Sequence, residues 1–248
     1  MVVFASIVML IVLSSAIFAL QSVEVEFSQE VSNLEGKQQE IVEAGDFAYG
    51  TNVLFLKKSP YIDKLEKQFP YLKILNIETC FPNRLVIHAK ERQELFTVKL
   101  DDNLYVVIDE DYKILRKINV SGTFVSTPTN PILLSGVKFS GGKNEGDFLQ
   151  IDSSQESLML NVLVGCKQWN LENDFLKSKI EQIYIDYEKQ SDVLIKMHTG
   201  VQILLKNASV GCETMLNLAF SAYDYSSEYR NQGTMEVRII DGQAKIFF

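Results

Sequence analysis

Residues 75–90, LNIETCFPNRLVIHAK, decide how this chain folds. Leu75, Ile77 and Thr79 alternate with Asn76 and Glu78. Leu85, Ile87 and Ala89 alternate in the same way with Val86, His88 and Lys90. A period of two marks a strand with one buried face. Between the two runs, residues 81–83 (FPN) bring Pro and Asn together, which turns the chain. Two strands joined by so short a turn pair antiparallel and begin a sheet.

Working back from this hairpin, Ser59 and Pro60 open a helix, with Ser as N-cap and Pro at the first helical position. Ile62, Leu65 and Phe69 fall on one face of it, and Pro70 closes it. Residues 50–55 (GTNVLF) form a turn leading into an apolar stretch. Residues 36–45 read as a short helix stopped by Gly45. Val23, Val25 and Phe27 alternate with Glu24 and Glu26, a further half-buried strand. The order is β-α-α-β-β within about seventy residues.

Ahead of that block, residues 2–20 (VVFASIVMLIVLSSAIFAL) carry no charge. At helical rise the run spans about 28 Å, close to the hydrocarbon thickness of a bilayer. A cleaved signal peptide is the competing reading. Against it, no Lys or Arg precedes the run, and Ala16 and Ala19 are poorly spaced for a small-residue cleavage site. The expectation is a single retained transmembrane helix.

Beyond residue 92 strands prevail. Residues 95–100, 104–109 and 112–118 are separated by two acidic turns, 101–103 and 110–111, which gives a meander. Residues 121–130 and 140–154 read as loops. Residues 153–156 (SSQE) have the capping-box pattern and open a helix with Leu158, Val162, Cys166 and Trp169 on one face. Strands follow at 180–187, 193–199 and 201–205, then a helix at 213–223. A last hairpin, 235–240 and 244–248, turns at Asp241-Gly242. The fold class is therefore α+β: a transmembrane helix at 1–20, a β-α-α-β-β domain at 21–92, and a β-rich domain at 93–248 with two or three helices.

A hydrophobic content of 46% with 23% charged residues suits globular folding. The net charge of −8 argues against nucleic acid or anionic lipid as main partners. Cys80, Cys166 and Cys212 lie far apart without metal-site spacing and read as buried small hydrophobes, with a Cys166–Cys212 bridge as the alternative. The two histidines, His88 and His198, sit on polar strand faces, and no G-x-S-x-G accompanies them. Asp109, Glu110 and Asp111, with Asp101 and Asp102, read as solvated turns, since the calcium-loop spacing is absent. Phosphate and dinucleotide fingerprints are missing as well. No catalytic residue, cofactor or metal is expected.

Four stretches carry a resemblance: residues 50–55 (GTNVLF), 69–72 (FPYL), 81–83 (FPN) and 91–93 (ERQ). In this order, after an apolar N-terminal run, they resemble the FtsQ/DivIB family of bacterial cell-division proteins, whose first outer domain is a POTRA domain. Residues 105–109 (YVVID) with Ile114 and Leu115 resemble the start of that family's β-domain. Residues 131–136 (PILLSG), 199–201 and 235–238 match its later stretches more loosely. The likeness spans about residues 22–248 and is densest between 40 and 115.

The resemblance implies a non-catalytic, single-pass membrane scaffold of the divisome with its bulk outside the cytoplasm, at the division septum. It implies partners of the small coiled-coil membrane type, FtsB/DivIC-like and FtsL-like, through which septal peptidoglycan synthesis is positioned or regulated. In that family the last strands carry the partner contact. The candidate partner-binding residues are thus Arg238, Ile239, Ile240, Gly242, Ala244, Ile246, Phe247 and Phe248, by addition of a strand to the terminal hairpin. The plainer reading packs Ile246 and Phe248 into the core and leaves Phe247 alone exposed. Residues 45–50 (GDFAYG) are a second candidate surface, or a solvated turn. Other classes are a POTRA-bearing envelope assembly or transport protein and, further off, an exported hydrolase.

Overall fold

The computed structural model describes residues 16–101, 103–119, 124, 126–169, 173–186, 191–225 and 233–248. The chain divides into two units, Met1–Arg92 and Gln93–Phe248.

Unit 1 runs β1 (Ser22–Phe27), α1 (Gln38–Gly45), a 3-10 turn (Val53–Phe55), α2 (Ser59–Gln68), β2 (Leu72–Cys80) and β3 (Arg84–Glu91). Its sheet has the order β1-β3-β2, with β1 parallel and β2 antiparallel to β3. Ile41 and Leu65 from the helices bury against Leu72, Ile77, Leu85 and Ile87 of the sheet. β2 starts earlier than its alternation suggests, and its register shifts between Ile74 and Asn76. That bulge breaks the period of two, so Leu75, expected on the buried face with Ile77, is exposed.

Two helix ends also differ from expectation. At α2 the N-cap position is Lys58, without a side-chain cap, and Ser59 is already helical. At α1 the left-handed residue is Asp46, at φ 52°, rather than Gly45. Gly45 is needed for another reason: a Cβ there would lie 2.2 Å from Cε2 of the Phe47 ring.

No helix among the described residues is long and apolar enough to cross a membrane. The span expected over residues 2–20 lies outside the described residues up to residue 15. Its stated end is corrected. The Phe18 carbonyl accepts from Val53 N–H at 2.9 Å, Ala19 bridges to Asn52, and Leu20 is buried in the core of unit 1. Residues 18–20 belong to the folded unit.

In unit 2, β4 (Phe96–Asp101), β5 (Leu104–Ile108) and β6 (Ile114–Asn119) form the expected meander. β7 (Ile132–Ser135) follows, then the small pair β8 (Phe139–Gly141) and β9 (Leu149–Ile151). Next come α3 (Ser153–Trp169), α4 (Asn173–Lys179), β10 (Ile180–Asp186), β11 (Asp192–Met197), β12 (Gln202–Leu205), α5 (Cys212–Tyr225), β13 (Thr234–Ile240) and β14 (Gln243–Phe247). The described residues form a nine-stranded sheet in the order β14-β13-β12-β11-β10-β7-β4-β5-β6. One face is buried: Val98, Val106, Ile183, Ile195, Ile203 and Val237 pack with Met159, Val162, Met215 and Phe220 of α3 and α5.

β7, β8, β9 and α4 were not anticipated. β7 is only four residues long and lies parallel to both β4 and β10, so no local turn announces it. Its end is fixed by Gly136 (φ 77°), where a Cβ would come within 2.1 Å of the Ile185 carbonyl oxygen. The helix opens at Ser153 as expected, and Gln155 within the capping-box run has a further use. The Gln155 side chain is buried, donates to the Gly136 carbonyl at 3.1 Å and accepts from Lys138 N–H at 2.7 Å.

Candidate functional site: the C-terminal sheet edge

Asp241 (φ 55°) and Gly242 (φ 75°) both take positive φ, which gives a two-residue hairpin turn whose twist matches the strands. Ile240 pairs with Gln243 across it, Ile239 with Ala244, Arg238 with Lys245, Val237 with Ile246, and Glu236 with Phe247. In a hairpin of this kind the pair closing the turn exchanges both backbone hydrogen bonds, and the bonded pairs then alternate. The N–H and C=O groups of Ala244 and Ile246 therefore point away from β13. β14 is the last strand of the sheet, so those groups meet no further strand of it.

The opposite edge of the sheet is not left in this state. Along β6, the Ile114 carbonyl accepts from Gly146 N–H at 2.8 Å, and Ile114 N–H donates to Asp147 O at 2.9 Å. Lys117 N–H donates to Glu145 Oε1 at 3.0 Å. The chain's own residues 144–148 cover that edge.

The hairpin has two faces. Met235 and Val237 are buried, and Ile239, Ala244 and Ile246 are half-buried against the same core. The outer face carries Glu236, Arg238 and Ile240 with Gln243, Lys245 and Phe247. Arg238 pairs with Glu236 and lies over the Phe247 ring at 5.6 Å, a cation–π arrangement. Of the two last residues Phe247 is 44% exposed and Phe248 67%. Ile246 thus leans on the core as the plainer reading supposed, whereas Phe248 does not enter it. Beside the hairpin, Lys206, Asn207, Val210, Arg238 and Ile239 line an open groove of about 380 Å³. Gly242 lies exposed in the turn, away from that groove.

One feature of the face escaped sequence reasoning. Tyr184, Leu194, Leu204, Glu236 and Phe247 stand directly opposite one another on consecutive strands. They make a cross-strand row that is apolar except at Glu236 and ends on the edge. The signal was available, since positions 184, 194 and 204 alternate with core residues yet carry no charge.

The groups considered for chemistry each have partners of another kind. His88 Nε2 is 2.9 Å from Glu78 Oε2, with Glu26 on its other side. His198 Nε2 meets the Lys177 carbonyl at 3.1 Å. Asp109, expected in a solvated turn, is buried: its Oδ1 accepts from Asp111 N–H at 3.0 Å and Lys113 N–H at 2.9 Å, holding the turn between β5 and β6. Cys166 and Cys212 are free thiols, not a bridge. Burial pushes each up to about 12, helped at Cys166 by the neighbouring Cys212 and at Cys212 by Glu213. Among the described residues no group of His, Cys, Asp and Glu is placed to hold a metal ion.

No family model matches the chain. It is 26% identical over 208 residues to the "Cell division protein DivIB" of Clostridium acetobutylicum, covering 78% of this chain and 80% of that protein. The protein of the same name from Clostridium tetani is 21% identical over 235 residues, 87% of this chain and 83% of the other. That of Clostridium botulinum (strain Hall) is 24% identical over 125 residues, 47% and 46% of the two chains. This chain is a relative of the DivIB cell-division proteins.

In this DivIB relative the stretches first noticed in the sequence hold unit 1 together. Residues 50–53 pair with the entering chain, with Leu20 N–H donating to the Thr51 carbonyl at 2.8 Å. Glu91 fixes the loop after β1, its carboxylate accepting from Ser32 N–H at 2.6 Å and from the Asn33 side chain at 2.6 Å. Arg92 is buried beside it and donates to the Leu72 carbonyl at 3.1 Å. Residues 45–50 include buried Phe47, stacked on Tyr61 at 4.5 Å, and exposed Tyr49, so this loop is half core and half surface.

Proposed function

We propose that the chain is a non-catalytic scaffold of the divisome, anchored in the membrane by the apolar run at its N-terminus. Its two folded units stand outside the cytoplasm at the septum. The open edge of β14 takes a strand from a small coiled-coil membrane protein of the FtsB/DivIC kind and, through that partner, engages an FtsL-like one. The complex positions or regulates septal peptidoglycan synthesis.

One observation carries this reading: of the two edges of the nine-stranded sheet, β6 is covered by residues 144–148, while β14 faces no further strand among the described residues. Backbone hydrogen bonds at Ala244 and Ile246 supply affinity to an added strand, and the apolar row ending at Phe247 supplies places for its side chains. Arg238, paired with Glu236 and lying over the Phe247 ring, offers a charge to an acidic partner residue.

The test uses the full chain reconstituted with the purified FtsB/DivIC-type protein of the same bacterium. Ala244→Pro removes one outward N–H without touching the pairing with β13, a place where edge strands tolerate proline. Binding is expected to weaken about tenfold or more, about 1.4 kcal/mol, with the urea transition close to that of the parent. Undiminished binding by a folded Ala244→Pro variant excludes the edge. An intact chain that recovers no division protein sinks the scaffold itself.

A further inference from the structure

One end of unit 1 gathers the exposed side chains of Ile17, Tyr49, Leu54, Phe55 and Phe81 around Phe18, which is half-buried against the core. Phe55 is 83% exposed and Phe81 68%. Among the described residues of unit 1, Leu75 is the one exposed large apolar residue that lies elsewhere. Their clustering is fixed by backbone bonds. Val53 N–H donates to the Phe18 carbonyl at 2.9 Å, Gly50 N–H to the Leu20 carbonyl at 3.0 Å, and Gln21 N–H to the Asn83 carbonyl at 2.9 Å. The Phe18 and Phe81 rings meet edge to face at 6.1 Å. The loop at 48–55, the β2–β3 turn and the entering chain thus form one surface.

That surface is where the uncharged run from residue 2 joins the fold. Lys57 and Lys58 follow Phe55 after Leu56, and Lys57 is exposed while Lys58 is half-buried. The acidic groups near this end are engaged: Glu24 pairs with Arg84 at 3.1 Å and Asp46 with Lys64 at 3.8 Å. Aromatic rings beside an apolar run, flanked by lysines, are the composition that settles at a membrane–water boundary. Lysine stems lie along apolar surface while their ammonium groups reach the phosphates.

We infer that this end of unit 1 is itself a lipid-contact surface. Phe55 and Phe81 dip into the interfacial layer, with Lys57 and Lys58 at the headgroups. The inference rests on the membrane-anchored reading and adds that the fold, not only the run ahead of it, touches the bilayer. The chain's net charge of −8 does not oppose this, because the positive charge is local to the loop. Contact there would also set the orientation of the β1-β3-β2 sheet, whose strands β1 and β3 both start at this end.

The test places a tryptophan at the tip, Phe55→Trp, in the full chain reconstituted into vesicles. The bilayer is phosphatidylcholine with phosphatidylglycerol, containing lipids brominated high on the acyl chain, at the depth of about 5–10 Å reached by interfacial side chains. The parent, with Trp169 alone, is the blank, and Glu30→Trp marks the opposite end of unit 1, where Ser28 N–H meets the Ala89 carbonyl. Flotation of the vesicles reports anchoring independently. Protein that floats, with emission from position 55 lost to the bromines and that from position 30 retained, supports the contact. Protein that floats with position 55 unquenched, or with both positions quenched alike, overturns the contact and leaves the anchor standing. Protein that does not float overturns both.

Discussion

Arg92 and Glu66 form an ion pair inside unit 1, with Arg92 Nη2 donating to Glu66 Oε2 at 2.8 Å. The arginine side chain is 3% exposed and the glutamate 13%. The same carboxylate accepts from Ile74 N–H at 2.8 Å through Oε1, and Arg92 Nε holds the Leu72 carbonyl. Three elements, α2, the start of β2 and the end of β3, are tied by one pair. Removing one partner takes this ion pair from the other charge in a largely buried site. Arg92→Leu or Glu66→Leu is expected to destabilise the protein by about 3–5 kcal/mol, measured by urea unfolding. The double replacement should recover much of that loss, because neither charge is then stranded.

Glu91 lends the same region a dependence on acid. Burial pushes its carboxyl up, but hydrogen bonds from the Asn33 side chain and from the Ser32 and Asn33 backbone outweigh it and hold it below the ordinary carboxylate value of 4.5. A depressed folded-state value means that the ionised form favours folding. The contribution is complete above pH 4.5 and disappears as pH falls through the lower folded value. Stability measured between neutral pH and pH 3 should therefore drop more steeply for the parent than for Glu91→Gln. Parallel curves for the two proteins would refute the assignment.

The three thiols separate by burial. Cys166 and Cys212 are held protonated inside unit 2, while Cys80 is only half-buried at the end of β2. A neutral alkylating reagent at pH 8 is expected to modify Cys80 alone in the folded protein and all three in urea. Intact-mass measurement counts the additions directly. Modification of Cys166 before unfolding would contradict the packing of α3 on α5.

Unit 1 was legible in order and kind because each of its elements announces itself locally, by alternation, by helical spacing or by Pro and Gly at the ends. The errors there came from competition within a strand or a cap. Leu75 is hydrophobic enough to be assigned inward, yet the bulge beside it turns it out. In unit 2 the error was of another kind: Asp109 is acidic enough to be assigned to solvent, yet two backbone N–H groups hold it inside. In unit 2 the antiparallel hairpins were readable because their turns are short. β7 was not, because its partners β4 and β10 lie far from it along the chain. At the candidate edge, the hairpin and its positive-φ turn were visible in Asp241-Gly242. That β14 ends the sheet was not, because the strand order rests on pairings such as the parallel one of β12 with β13, whose strands are far apart along the chain.

The strand order β10-β11-β12-β13-β14 is also the order in which these strands are synthesised. On this side of the sheet each strand borders the one before it in the chain, and β14 is the outermost. A strand arriving from another molecule would repeat the step that placed β14 on β13, using the same pleat and the same spacing of donors and acceptors. What changes is the entropic term. For β14 a two-residue turn supplies the effective concentration, whereas an outside strand has no such tether within this chain. The sheet is in this sense a crystal face with its growth halted, and what restarts it is proximity rather than a change of shape.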